Sequence, residues 1–152
     1  MVNLHAMLAV GGRLDFAVWA SIEDNPWAEA TMEVGRTHLG LPPPSAHAPG
    51  PFAFSDEAYL RALLTGAGFQ AVRFTPWQGK VRFGGPGASA AEAAGLAAAG
   101  GTLAGPMQAA SEETEAALLA DLAARMKPYL TDSGVLVPAS VHLVTASAEY
   151  TG

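Results

Sequence analysis

Four histidines are the side chains of this sequence that could transfer protons or bind a metal ion near neutral pH. They are His5, His38, His47 and His142. No two of them have the helical spacing that places two metal ligands on one face, so the sequence argues against a zinc site. His142 stands inside an apolar segment, where a structural histidine is more common than a catalytic base. We therefore predict a structural role for His142, with proton transfer as the alternative.

The other reactive side chains form no recognisable catalytic set. Glu112, Glu113 and Glu115 stand at the predicted start of a helix, where acids interact favourably with the helix dipole, and we interpret them as solvated. No arrangement of serine, histidine and aspartate can be argued from the spacing. The sequence contains no cysteine, which excludes disulfides, thiolate metal sites and thiol catalysis from it. The catalytic residues, if any, are unknown at this point.

The composition is that of an acidic folded domain. Half of the 152 residues are hydrophobic and 14% are charged, which disfavours disorder. Eight lysines and arginines stand against fourteen acids, so a nucleic acid or an anionic membrane is a disfavoured partner. No apolar run approaches the roughly 20 residues that cross a bilayer. The amino terminus lacks the features of a signal peptide, and we expect a cytoplasmic protein.

Alternating helix and strand signals predict an α/β fold in a single domain, residues 1–152. The segment Leu14–Ala20 is apolar on both faces, which is typical of a strand covered by helices on each side. A short predicted helix, Val2–Leu8, precedes this strand. The loop-rich stretch Ser21–Pro51 follows it and contains a predicted helix from Trp27 to His38.

The remainder of the chain continues the pattern of helix and strand. Ser55 is the expected N-cap of a helix that stops at Gly68, and Phe69–Trp77 is the second predicted strand. Residues 84–128 are predicted to form a helical cap, and Ser140–Ser147 the last main strand. We therefore expect about three main strands with flanking helices.

Four short motifs stand at or near the predicted strands. Gly11-Gly12-Arg13-Leu14 leads into the first strand, and Asn25-Pro26-Trp27 follows that strand. Ala67-Gly68-Phe69 leads into the second strand, and Leu143-Val144-Thr145-Ala146 lies in the last. In this order the motifs resemble the second half of a class I methyltransferase of the ubiquinone/menaquinone-biosynthesis type. That family has a PGGRL turn before its fifth strand and AGF before its sixth, and Val10 stands here in place of the proline.

The resemblance implies a partial Rossmann-like fold in which the last strand lies antiparallel between the other two. It also implies S-adenosylmethionine (SAM) as the cofactor. The family binds SAM through a glycine-rich turn after its first strand and an acidic residue that ends its second, and neither motif occurs in this sequence. Gly84–Gly87 and Gly100–Gly101 are glycine-rich, but neither is predicted to join a buried strand to a helix. We therefore expect a truncated methyltransferase that lacks the cofactor-binding half and is inactive alone.

The resemblance also identifies candidates for substrate binding. Ligands of open α/β sheets bind at the carboxyl ends of the strands, where polar and aromatic residues collect in this sequence. The alternative is that the tryptophans pack in the core and that the phenylalanine contacts the helix after it. The predicted substrate-binding residues are Trp19, Ser21, Asn25, Trp27, Phe52 and Trp77.

Three functional hypotheses remain open. In the first, the chain is the substrate-binding half of a small-molecule methyltransferase and acts with a complementary SAM-binding chain. In the second, it is a non-catalytic binding module whose apolar edge Leu14–Ala20 pairs with another chain, for instance in a homodimer. In the third, it is a small-molecule carrier with a cleft beneath the predicted helices of Ala88–Lys127.

Overall fold

The computed structural model describes residues 1–148, and these form two compact units. The first unit contains Met1–Ser21, His47–Gln78 and the described residues from Ser140 onward. The second contains Ile22–Ala46 and Gly79–Ala139, so the predicted helical segment 84–128 lies wholly within it. None of the described helices is long and apolar enough to cross a membrane.

Helices and strands follow one another along the chain as an α/β fold, as the sequence predicts. A single 3₁₀ turn, Lys127–Tyr129, follows the last α-helix. In chain order the elements are α1 (Val2–Ala6), β1 (Gly12–Trp19), α2 (Pro26–Leu39), α3 (Glu57–Gly66), β2 (Gln70–Phe83), α4 (Ala90–Ala99), α5 (Ala104–Gln108), α6 (Glu112–Met126), β3 (Leu130–Thr131) and β4 (Gly134–Ala148).

The sheet has the strand order β1-β4-β2, and the two-residue strand β3 pairs with the start of β4. β4 is antiparallel to β1, with Gly12 opposite Ala148 and Trp19 opposite Val141. It is also antiparallel to β2, because Ser147 bonds to Gln70 while His142, earlier in β4, contacts Phe74, later in β2. This arrangement confirms the prediction that the last strand lies antiparallel between the other two. The Rossmann-like assignment itself stays a prediction.

Two local predictions are wrong. Strand β1 is not covered on both faces, since Arg13, Asp15 and Ala17 are exposed and the residues between them are half-buried. The helix α3 is capped by Asp56 and not by Ser55. The Asp56 carboxylate accepts hydrogen bonds from two backbone N–H groups of the first turn, whereas a cap at Ser55 would start the helix one residue too early.

The two long strands exceed their predicted bounds. β2 continues past Trp77 because Val81 and Phe83 resume the alternation of half-buried and exposed residues after a polar interruption. β4 begins at Gly134, upstream of the predicted start. Pro138 obscures this extension in the sequence, since proline cannot donate a ladder hydrogen bond. It lies between the residues of β4 that pair with β3 and those that pair with β1.

The core of the first unit consists of large side chains between α3 and one face of the sheet. Leu60 and Leu64 of α3 are fully buried, and Phe69 follows the helix with 1% of its surface exposed. Sheet residues of alternating parity complete the cluster, as expected for a sheet covered by a helix on this face. They are Val144, Ala146 and Ala148, with Leu14, Phe16, Val18, Val72 and Phe74 partly buried against them.

The core of the second unit is built around alanine. Helix α4 buries five alanines in a cluster with leucines of α6, and alanine side chains let helix backbones approach closely. Ser89 is the N-cap of α4 and forms a complete capping box, in which its side chain and that of Glu92 each bind the other's backbone N–H.

An ionic network joins α2 to α6. Arg125 of α6 bonds to Glu33 of α2 at 2.7 Å and to Asp121 at 3.1 Å. His38 of α2 lies 3.2 Å from the other Asp121 oxygen, so α2 and α6 are joined by charge as well as by packing.

Candidate functional site

The amino end of α3 brings together two histidines and two carboxylates of the first unit. Asp56 caps the helix through hydrogen bonds from the backbone N–H groups of Ala58 and Tyr59, at 2.9 and 3.1 Å. These bonds satisfy two donors that a helix start leaves unpaired. The Tyr59 N–H, followed by His47, holds the pKa of Asp56 below its ordinary value.

His47 closes over this cap from the loop before α3. Its Nε2 atom lies 3.3 Å from Oδ2 of Asp56, and its ring stacks on that of Tyr59 with centroids 3.7 Å apart. The backbone of His47 has a φ of 60°, which non-glycine residues rarely adopt. Because 36% of the His47 side chain and 50% of the Asp56 side chain are exposed, the contact between them contributes little to the stability of the fold.

His142 and Glu57 form a second and more buried pair. Nδ1 of His142 lies 3.2 Å from Oε1 of Glu57, and only 15% of the histidine side chain is exposed. The contact is a close approach and not an aligned hydrogen bond, since buried Nδ1 has no hydrogen-bond partner among the described residues. Phe74 presents its ring edge-on to the imidazole at 6.1 Å. A histidine beside a half-exposed carboxylate, here as at His47 and Asp56, is an arrangement that could hold and release a proton.

The sequence could not find this pair. Position 142 was recognised as a histidine within an apolar strand, but Glu57 is the second residue after the predicted N-cap of a distant helix and has the ordinary appearance of a dipole-stabilising acid. Only the packing of α3 on the sheet brings the two together. The sequence signal is the alternation of strand residues. His142 is two residues from Val144 and four from Ala146, so it points to the same face of the sheet, the face that packs on α3.

Two of the predicted substrate residues meet in the structure. The rings of Trp19, at the end of β1, and Phe52, in the loop before α3, lie 6.1 Å apart and are tilted by 31°. Trp19 stands opposite Val141, whereas its neighbour Val18 stands opposite His142. Since adjacent residues of a strand point to opposite faces, the aromatic pair and the histidine lie on different faces of the sheet.

The other four predicted residues are divided between the units. Ser21 lies two residues after the end of β1 and is half-buried, and Trp77 lies in β2 with 41% of its surface exposed; both belong to the first unit. Asn25 and Trp27 belong to the second unit. Asn25 is the fully buried N-cap residue of α2. Trp27 packs on Phe83 with ring centroids 4.9 Å apart and adjoins the alanine-rich core.

The loop 84–87 is the part of the described chain most similar to a cofactor loop, and it joins β2 to α4. Every residue of β2 is exposed or half-buried, so the loop does not follow a buried strand. The two backbone donors at its helix end are already used, however. The Gly87 N–H donates to the Ser133 carbonyl at 2.9 Å, and the Ala88 N–H donates to the Gly85 carbonyl at 3.1 Å. The carboxylate of Glu92 occupies the start of α4, 2.8 Å from the Ser89 nitrogen.

The residues present therefore do not fit SAM at this loop. The bond from the Ser89 backbone holds the pKa of Glu92 below its ordinary value, so an anion already neutralises the helix start. A second carboxylate, that of the methionine part of SAM, would be repelled there. Within residues 1–148 there is also no group of three or more His, Asp or Glu side chains that could hold a metal ion.

Comparison with known proteins adds no family. No protein-family model matches the chain, and no curated protein matches it significantly. The function must therefore be argued from the geometry and from the resemblance of the short motifs.

Proposed function

We propose that this chain supplies the substrate-binding part of a SAM-dependent methyltransferase that acts on a small molecule. The observation that carries the proposal is the strand order β1-β4-β2, with β4 antiparallel to β1. The motif resemblance implies this order for the last three strands of the family, and simple hairpin connectivity would have given β1-β2-β4 instead. Because the loop 84–87 does not fit SAM and the sequence lacks both of the family's SAM-binding motifs, the proposal assigns the cofactor to residues outside this sequence.

The aromatic pair of Trp19 and Phe52 is the proposed substrate contact. The two rings form an apolar surface at the carboxyl end of β1, where open α/β sheets bind their ligands. A tilted pair of aromatic rings favours a flat, apolar substrate, which each ring can contact edge-to-face or offset. His142 and Glu57 lie on the other face of the sheet, so we assign them no direct contact with that substrate.

SAM binding tests the proposal. SAM is titrated calorimetrically into the purified chain, and then into an equimolar mixture with the SAM-binding half of a methyltransferase of the ubiquinone/menaquinone-biosynthesis type. We expect no binding to this chain alone, and tighter binding to the mixture than to the added half by itself. Tight binding of SAM to this chain alone, or a mixture that binds no better than the added half, contradicts the proposal.

Two variants refine this experiment. Ala17→Lys places a charge on the exposed face of β1, and charged residues on edge strands oppose pairing with another strand. It should reduce the gain in SAM affinity of the mixture. Thr75→Lys, on the exposed part of the other edge strand β2, is the matched control and should leave the gain unchanged.

The alternative function is a non-catalytic dimerisation module, and the position of β1 favours it. β1 lies at the end of the sheet order, with β4 as its partner among the described residues, and edge strands are templates for pairing with another chain. Arg13 and Asp15 are joined at 2.7 Å on its exposed face. A second copy antiparallel to β1 can exchange these partners, with each Arg13 opposite the other copy's Asp15.

Light scattering separates the two functions. A concentration-dependent dimer that Ala17→Lys converts to a monomer, together with no effect of the SAM-binding half, favours the dimerisation module. A monomer at all concentrations excludes it. The methyltransferase proposal is compatible with a monomer, because the predicted partner of β1 is then a strand of the SAM-binding half.

A further inference from the structure

A cleft lies among α4, α5 and α6, within the second unit. Its volume is about 440 Å³, inside the range of roughly 300–1,000 Å³ that small-molecule sites occupy. Gly95 and Ala99 of α4 line one wall, and Ala104 of α5 lines another. Because these residues carry no side chain beyond Cβ, the helices leave space between them that larger side chains would fill.

The cleft is local to one part of α4. Elsewhere on this helix Ala93 and Ala94 are fully buried in a cluster that also contains Leu118 and Leu122 of α6. There the small side chains permit close packing with no space left over. Near α5 the alanines meet other alanines instead, and the space between the helices stays open.

The charged side chain that lines the cleft is an anion. It is Glu115 of α6, whose carboxylate has no hydrogen-bond or ion-pair partner among residues 1–148. The α5 helix has no ionisable residue, and Glu92 of α4 is bound to Ser89. On α6 the Arg125 guanidinium bonds to Asp121 and to a glutamate of α2. No cation of these helices is thus available to Glu115.

The remaining lining is apolar with one amide. Met107 of α5 and Leu119 of α6 are half-buried and present hydrocarbon to the cleft, and Gln108 adds a carboxamide. A flexible thioether side chain adapts well to ligands of different shape. An apolar surface with a carboxylate at one point matches a ligand that has a compact hydrocarbon body and one cationic group.

We propose that this cleft binds a compact apolar amine, with its ammonium group at Glu115 and its hydrocarbon against Met107 and Leu119. The inference goes beyond the proposed function and does not depend on it, since neither SAM nor the residues of the first unit take part. Its failure would leave the methyltransferase proposal intact, and the reverse also holds.

The experiment is an NMR titration of the full chain with phenethylamine and, as the neutral analogue, phenethyl alcohol. We expect amide signals of α4, α5 and α6 to shift, with the amine binding up to about fivefold more tightly than the alcohol, which is the most that one ion pair to the exposed Glu115 provides. Equal binding of the two probes, shifts confined to other elements, or no shift up to about 10 mM phenethylamine would each overturn the proposal.

Four variants make the titration specific. Glu115→Gln should weaken binding of the amine up to about fivefold and leave binding of the alcohol unchanged. Glu113→Gln, two residues away on the same helix and outside the lining, should change neither. Gly95→Leu should abolish binding of both probes, because a Cβ atom there meets nothing within 4 Å and the added side chain can fill the cleft without a clash. Ala91→Leu, exposed on the same helix, is its control for folding and should bind like the wild type. Binding that survives Gly95→Leu contradicts the assignment of the cleft.

Discussion

The two units reach burial by different means. The first packs a few large side chains, Leu60, Leu64 and Phe69, between one helix and a sheet face. The second packs many alanines of α4 against leucines of α6, and it adds an ionic network between α2 and α6. The pleated face of a sheet leaves room for large side chains, whereas two helices in close contact do not.

The difference has a consequence for function. A core of large side chains is filled, and the candidate groups of the first unit accordingly lie at its margin, at the end of β1 and the start of α3. A core of alanines is free of empty space only where a larger side chain of the neighbouring helix packs against it. Where Gly95 and Ala99 face Ala104, the second unit keeps a cleft. The same residue type thus permits both tight packing and a ligand-sized space.

Removing a large side chain from the first unit should have the largest effect. Phe69→Ala is expected to lower the free energy of unfolding by about 3–5 kcal/mol, because the ring is 1% exposed and leaves a cavity. Urea denaturation measures the change. Leu143→Ala, at a side chain that is 42% exposed, is the control and should cost less than about 1 kcal/mol. Equal losses for the two variants would show that the first unit lacks a filled core.

Enlarging a small side chain should damage the second unit. Ala94→Leu is expected to cost about 1–3 kcal/mol, because Ala94 is fully buried and extra atoms must displace the neighbouring helix. Ala91→Leu, on the exposed side of α4, should change the free energy of unfolding little. A tolerated Ala94→Leu would mean that α4 and α6 are not in close contact.

The ionic network of the second unit should contribute less than either core. Arg125→Met is expected to lower the free energy of unfolding by roughly 1 kcal/mol, since the side chain is 32% exposed and its guanidinium bonds to both Glu33 and Asp121. Arg36→Met, at an exposed position on α2, is the matched control. If the two variants are equally stable, the network is an unimportant surface feature.

The smallest predicted effect depends on pH. Arg125 first, and then His38, holds the pKa of Asp121 below its ordinary value of 3.8. A carboxyl group whose pKa is lower in the folded state contributes stability above the unfolded pKa and loses it as the pH falls through the folded one. The stability advantage over Asp121→Asn, less than about 1 kcal/mol, should thus be complete above pH 5 and shrink toward pH 2. A difference that is independent of pH would contradict the linkage.

Local signals in the sequence predict elements better than they predict contacts. The first strand and the helices before and after it follow from apolar spacing and from glycine and proline, and the structure confirms their positions within a few residues. The extension of β2 past Trp77 was missed because Gln78, Gly79 and Lys80 interrupt the alternation. The extension of β4 was missed because Pro138 is unfavourable in a strand.

The strand order and the candidate site depend on long-range packing. The order was predicted from the motif resemblance and not from periodicity, which carries no information on neighbours in a sheet. Trp19 and Phe52 lie close together, but their role as substrate residues stays a prediction. The contact of Glu57 with His142 has no local signal in the sequence. A cleft beneath the helices of Ala88–Lys127 is one of the sequence hypotheses, but the residues that line it, Gly95 among them, follow only from the packing of the helices.

The central proposal is that this chain binds the substrate and that another polypeptide binds SAM. Native mass spectrometry of the equimolar mixture with SAM tests it most directly. The account predicts an ion that contains one copy of this chain, one copy of the SAM-binding half and one SAM, and no SAM on this chain by itself. An ion of this chain alone with SAM bound, or a mixture in which the two polypeptides never appear together, would contradict it.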